Sequence, residues 1–199
     1  MAAKRRAQQV EATRARLIRA ARNAFATRGY AASSMDELTA DAGLTRGALY
    51  HNFGGKQGLL QAVIDQIDGE MLMRMRAARQ KAASLWDGFM DESIAYLEMA
   101  LEPEIQRIML LDGPAVLGDP SQWPGQNACL GTTMDTLHAL IEEGTVRPVD
   151  VEAAARLLNG AALNAALWIA AADDPPTVLP KAVDAFRCLA EGLLQERPS

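Results

Sequence analysis

The sequence predicts an all-α protein in two parts, a three-helix helix-turn-helix domain over residues 1–55 and a larger helical domain over residues 56–199. Three observations lead there. Apolar residues recur at helical spacing along nearly the whole chain and never settle into strand alternation. The breaks between runs (DGPAVLGDP, GTVRP and DDPPT) are short and rich in Gly, Pro and Asp. Two of the earliest helical runs are short and are joined by a turn containing glycine, which is the pattern of a helix-turn-helix.

The first run, from Val10 to about Thr27, places Leu17, Ile18, Ala21, Ala24 and Phe25 on one stripe and is closed by Gly29. Ser34 followed by Glu37 forms a capping box that opens a second, short helix carrying Met35, Leu38, Thr39 and Ala42, and Gly43 stops it. Leu44 is a buried-type residue in the turn. Thr45 caps a third helix through Arg46, Gly47, Ala48, Leu49 and Tyr50, which ends between Asn52 and Gly55. A long helix follows from Lys56 to about Arg79, with Leu60, Val63, Ile64, Ile67 and Met71 on one face. Further helices are expected at about Ser84 to Leu101, Pro103 to Leu111, Pro120 to Glu143, Asp150 to Ala172 and Leu179 to Glu196.

The chain has 199 residues, 49% hydrophobic and 23% charged, enough to bury a core without disulfides or metals. Two cysteines (Cys129, Cys188) and two histidines (His51, His138) are too few and too scattered for a disulfide framework or a zinc site, so no metal or cofactor is expected. A reduced, cytoplasmic location is the default. The basic opening lacks the apolar region of a secretory signal, and no window approaches the roughly 18 uncharged residues of a membrane span. Its arginines and single acid, Glu11, also fit a mitochondrial transit peptide, against which stands a helix that continues into a folded pattern.

The net charge of −5 is divided unevenly. Residues 1–56 hold ten Lys or Arg and four Asp or Glu, a net +6, while the other 143 residues hold ten bases and 21 acids, a net −11. Two readings fit charge alone: an end built to approach a polyanion, or a solvated helix with arginines on its outer face. Local sequence decides between them. The stretch GYAASSMDELTADAGLTRGALYHNFGGKQGLL resembles the DNA-binding domain of the tetracycline-repressor (TetR) family of bacterial regulators. It carries the Gly-Tyr pair, paired hydroxyl residues, an Ala-Gly turn, a glycine in the recognition helix, then Tyr, Phe and a Lys opening the next helix. It departs from the pattern at Thr39, where Ala is usual, and at Asn52, where His is usual.

The resemblance implies a homodimeric transcriptional regulator, most often a repressor, that binds palindromic double-stranded operator DNA and releases it on binding a small-molecule inducer. The residue chemistry agrees. Gly47 and Ala48 are small enough for backbone to approach the duplex, and Ala48 also suits a thymine methyl. Arg46 is assigned bidentate readout of guanine, with a plain phosphate contact as the alternative. Tyr50 and His51 offer donors to phosphate oxygens, although the Tyr50 ring can instead be core. By the resemblance Lys56 contacts phosphate, as do Ser34 and Thr45 unless their hydroxyls serve only as caps.

A helix-turn-helix this small reads few base pairs, so two copies are needed, with half-sites roughly 34 Å apart. The helix from Asp150 is apolar nearly all round, so Leu158, Ala161, Ala162 and Ala165, with Phe186, Leu189 and Leu193 of the last helix, are the candidate dimer surface. The resemblance places a small-molecule pocket among the middle helices. Its candidates are Trp86, Phe89, Met90, Tyr96, Met109, Trp123 and Trp168, since pockets are lined by aromatic and adaptable apolar groups. No catalytic constellation stands out: Gly54, Gly55 and Lys56 lack the remainder of a phosphate loop, and the acidic pairs sit at helix ends. An enzyme is not expected. The rival reading is a helical small-molecule-binding or enzymatic bundle whose helix-turn-helix only packs.

Overall fold

A computed structural model describes residues 2–195. The described residues form helices α1 (Ala2–Arg28), α2 (Met35–Asp41), α3 (Arg46–Phe53), α4 (Lys56–Arg79), α5 (Leu85–Met99), α6 (Pro103–Ile105), α7 (Gly113–Leu117), α8 (Pro124–Glu142), α9 (Val151–Ala171) and α10 (Pro175–Glu191). A π-helical stretch, Gln106–Asp112, links α6 to α7, and a 3₁₀ turn, Pro120–Gln122, precedes α8. The protein is all-α, as the spacing of its apolar residues predicts.

The chain folds into two compact units. One contains residues 1–67 and 103–118, the other residues 68–102 and 119–199. The sequence places its break at 55/56, in the turn before α4; the compact units instead divide within α4, and the first includes a segment far along the chain.

The first unit is built around α1, whose Leu17, Ala21, Ala24 and Phe25 are fully buried together with Leu38 of α2, Leu49 of α3 and Leu59 and Leu60 of α4. The distant segment is held there by polar contacts. Glu104 accepts two 2.7 Å hydrogen bonds from Arg22 of α1, and Asp112 accepts one of 2.7 Å from the Tyr30 N–H. The sequence treats DGPAVLGDP as a break, yet helix continues through it to Leu117. Pro114 has no N–H to return to the preceding turn, and the chain answers by widening: Gly113 N–H donates to the Ile108 carbonyl, five residues back, and Met109 is buried within this same unit.

The second unit packs α8 against α9, α9 against α10, and α5 against all three. Its buried side chains include Phe89, Leu97, Leu137, Leu140, Ala155, Leu158, Ile169 and Phe186. The last helix begins at Pro175, four residues earlier than the sequence predicts, because Pro is well suited to a first helical turn. It stops at Glu191, after which Val146 and Leu194 form an isolated antiparallel bridge. Glu196, the expected end of that helix, lies outside the described residues.

One glycine is fixed by a close approach. A Cβ on Gly58, in the first turn of α4, would lie 1.9 Å from the carbonyl oxygen of Phe53, so only glycine lets α4 start directly against the end of α3. Gly69, further along α4, has nothing within 4 Å. Gly69→Ala should therefore stabilise the protein by about 0.5 to 1 kcal/mol, the usual helix gain, whereas Gly58→Ala should cost about 1 to 3 kcal/mol through overpacking. Urea unfolding of the two variants checks this, and equal effects would show that the approach is not rigid.

Candidate functional site

The surface of interest forms where α2 and α3 begin. At α2 the capping box is complete: Ser34 Oγ accepts from the Glu37 N–H at 3.2 Å, and Glu37 Oε2 accepts from the Ser34 N–H at 3.1 Å. The Ser34 N–H, with help from the Ser34 hydroxyl, holds the Glu37 carboxyl below its ordinary range. Thr45 caps α3 by accepting from the Ala48 N–H at 3.2 Å. Both hydroxyls therefore act as caps, and both residues are exposed at the helix starts. Gly54 (φ 70°) and Gly55 (φ 138°) close α3 in conformations that other residues rarely adopt.

The helix α3 shows a single outer face. Arg46, Gly47, Tyr50 and His51 are exposed, Ala48 is half-buried and Leu49 is fully buried. Tyr50 is 55% exposed, which removes the alternative that its ring is core. Arg46 is gripped by Asp36 of α2. Lys56 sits at the first turn of α4 with Nζ 4.1 Å from the Tyr30 ring centroid. Partial burial pushes its ammonium pKa down, against a smaller upward pull from Asp112.

Both departures from the family pattern are absorbed locally. Thr39 is buried, and its hydroxyl donates back to the Met35 and Asp36 carbonyls at 2.9 and 3.1 Å, so the extra polar group costs no unpaired donor. Asn52 donates to the Ala48 carbonyl at 2.8 Å, and its own carbonyl accepts from Arg14 at 2.6 Å.

Arg14, Arg16, Arg22 and Arg28, half of the basic residues of α1, have partners within the unit. Arg14 also lies over the Phe53 ring, 4.4 Å from its centroid. Arg16 donates to the Ala42 carbonyl at 2.7 Å at the end of α2, and Arg28 pairs with Asp41 at 3.5 Å. Arg16, Arg19 and Arg28 line an open groove of about 790 Å³ between α1 and α2. Within the first unit Arg22 and Arg28 pair with carboxylates, and Arg14 and Arg16 meet the C-terminal ends of α3 and α2.

In the second unit, Phe89 and Met90 are buried on α5, Trp86 stacks obliquely on Phe89 at 5.9 Å, and Trp123 is buried at the start of α8. Two pocket candidates lie elsewhere. Met109 is in the first unit, and Trp168 is 51% exposed on α9. Among the dimer candidates Leu158 and Phe186 are buried within the protomer, Ala161, Ala162, Ala165 and Leu193 are half-buried, and Leu189 is exposed. Leu157, which the sequence did not single out as an interface residue, is 75% exposed.

Sequence reasoning also missed a polar seam. Gln126, Cys129, Thr133 and Thr136 recur every three or four residues and so share one face of α8, and Trp123 stands at its N-cap. Thr133 donates to Asn159 Oδ1 at 3.0 Å, and Arg79 bridges Glu92 and Thr136 at 3.0 Å each. Burial pushes both the Tyr96 hydroxyl and the Cys129 thiol up, so both are neutral. Two buried donors, Trp123 Nε1 and Asn159 Nδ2, have no hydrogen-bond partner. The 3.6-residue spacing of these polar groups was the available signal.

An exposed recognition face on a capped helix-turn-helix, with a separate helical unit, defines a DNA-binding regulator of the one-chain, two-part kind. Comparison with known proteins agrees. Residues 17–63 match the profile described as bacterial regulatory proteins of the tetR family, and residues 86–193 match the tetracyclin repressor-like C-terminal domain. The chain belongs to the TetR family of transcriptional regulators. A crystal structure of a TetR-family regulator from Pectobacterium atrosepticum is 48% identical, covering 96% of this chain and 98% of that one with a TM-score of 0.87. The regulator SrpR of Pseudomonas putida is 42% identical over 62 residues, 31% of this chain and 29% of its own. UidR of Escherichia coli is 35% identical over 68 residues, 34% of this chain and 35% of its own. These curated relatives are thus matched over about a third of their length. Among the described residues no helix is long and apolar enough to cross a membrane.

Proposed function

We propose that the protein is a ligand-responsive repressor that binds a palindromic operator as a homodimer in the cytoplasm, with no catalytic activity. The observation that carries this reading is the outer face of α3, where Arg46, Gly47, Tyr50 and His51 are exposed together on a helix fixed by caps at both ends. Arg46 reads a guanine. Gly47 and Ala48 let backbone approach the duplex. Tyr50, His51 and Lys56 contact phosphates, as do the exposed starts of α2 and α3 at Ser34 and Thr45.

Dimerisation is assigned to the outer faces of α9 and α10. Leu157, Ala161 and Trp168 follow one another at helical spacing on α9, and Leu189 is 62% exposed on α10. Large apolar side chains so exposed are the mark of a covered surface. The inducer site is assigned to the seam of α8 with Trp86, Phe89, Met90 and Tyr96. Its two unpartnered donors and neutral Tyr96 and Cys129 fit an apolar, uncharged molecule that brings hydrogen-bond acceptors.

Operator selection from a pool of random duplexes, followed by titration, tests the DNA assignment. Affinity should fall steeply with salt. Arg46→Ala should relax discrimination at one base pair per half-site by about 1 to 3 kcal/mol, and Lys56→Ala should weaken all sequences alike. Uniform loss from both would make Arg46 a phosphate contact.

The dimer assignment predicts that Leu157→Asp combined with Leu189→Asp yields a monomer by sedimentation equilibrium, with the helical content unchanged and operator affinity lost. A dimer that survives both charges is held by another surface.

A thermal-shift screen of uncharged, acceptor-bearing apolar compounds tests the inducer site. A hit should weaken operator binding about 5- to 150-fold, and operator should weaken the compound's binding by the same factor. Equal compound affinities with and without operator would remove the regulatory reading.

A further inference from the structure

Arg46 does not lie loose on the DNA-facing surface. Its Nε donates to Asp36 Oδ1 and its Nη2 donates to Asp36 Oδ2 at 2.5 Å, a parallel fork joining the first turn of α3 to the first turn of α2. The two side chains are 59% and 70% exposed, and ion pairs so exposed contribute little to folding. The pair therefore needs a reason other than stability. A guanidinium has five N–H donors in one plane. Asp36 occupies the single N–H of Nε and one on Nη2, which leaves the edge formed by the second N–H of Nη2 and one N–H of Nη1. Two parallel donors on that edge match the O6 and N7 acceptors of guanine.

We propose that Asp36 is a specificity-determining residue of the DNA-binding surface, whose carboxylate holds the Arg46 guanidinium so that its remaining edge meets one guanine in each half-site. The proposal rests on base readout by Arg46. A long arginine otherwise loses rotamer freedom when it docks, and it can equally turn to a phosphate, which carries no sequence information. Clamping removes both penalties for the matching base alone. The carboxylate also repels phosphates, so it lowers affinity for every duplex in return for discrimination.

The test uses the full chain as wild type, Asp36→Ala, Asp36→Asn, Arg46→Ala and the double variant Asp36→Ala/Arg46→Ala. Each selects from a pool of duplexes with a random segment of about 20 base pairs, enough for two half-sites. Affinities are then measured for the wild-type-selected duplex and its single-base variants. Both Asp36 variants should bind unselected duplex as tightly as wild type or more tightly. Their discrimination should fall about 3- to 10-fold, the scale of freeing one immobilised side chain, at the base pair that Arg46→Ala relaxes. The double variant should discriminate no worse than Arg46→Ala alone. Discrimination retained by both Asp36 variants while Arg46→Ala loses it overturns the role of Asp36 and leaves base readout standing. If Arg46→Ala changes no position, base readout itself fails and the proposal with it. Asp36→Asn keeps the size of the side chain, so melting curves of the two Asp36 variants separate a folding defect from lost clamping.

Discussion

Helices of seven and eight residues do not persist alone in water, because nucleation is costly and too few hydrogen bonds follow it. The recognition face therefore exists only because α1 holds α2 and α3. It does so twice over. Leu17, Ala21, Ala24 and Phe25 supply the buried surface, and Arg14 and Arg16 reach the terminal carbonyl groups at Asn52 and Ala42. A cation at each helix C-terminus offsets the partial negative charge there. These two are among the ten bases of residues 1–56, so part of the positive charge of the head also serves as scaffold.

The second constraint is topological. The chain leaves the first unit at residues 67/68, re-enters it at 102/103 and leaves again at 118/119. The re-entrant segment is fastened by Glu104 to Arg22 and by Asp112 to the backbone of Tyr30, while Arg107 lies against Gly29 so closely that a Cβ there would be 2.0 Å from its guanidinium. The helix that carries these anchors contains a π-helical turn, a register that differs from α-helix by one residue per hydrogen bond. Moving this segment would thus disturb α1, and through α1 the seat of α2 and α3, and it would shift Asp112, whose charge acts on Lys56.

The parts of this architecture that are local were legible in the sequence. The capping box at Ser34, the cap at Thr45 and the glycine stop at Gly43 are short-range signals, and the helices stand where those residues put them. Leu49 as core likewise follows from spacing. What could not be read was long-range. Pattern within residues 103–118 says helix, but nothing there says that it belongs with α1, where Met109 lies. Trp168 was read by residue type, and its exposure depends on which face of an almost uniformly apolar α9 meets α8 and α10. The seam on α8 was overlooked for a related reason: Thr and Cys among apolar residues look like ordinary helix filler until their partners on α5 and α9 are known.

That seam bears on the inducer site proposed for the second unit. A buried donor without an acceptor costs about 1 to 3 kcal/mol, and Trp123 Nε1 and Asn159 Nδ2 are two such donors in one unit. A core optimised for stability alone would have replaced them with apolar groups of similar shape. A molecule that supplies their acceptors recovers part of that cost only in the arrangement that brings both donors to it. Differential affinity between two arrangements is the whole of what a ligand can contribute to a switch. The recoverable energy is of the same order as the roughly 1 to 3 kcal/mol of a typical coupling between sites. For the inducer site proposed here the two donors are a sufficient source of that coupling, since the other buried polar groups around them, Thr133, Thr136 and Glu92, are already satisfied by protein.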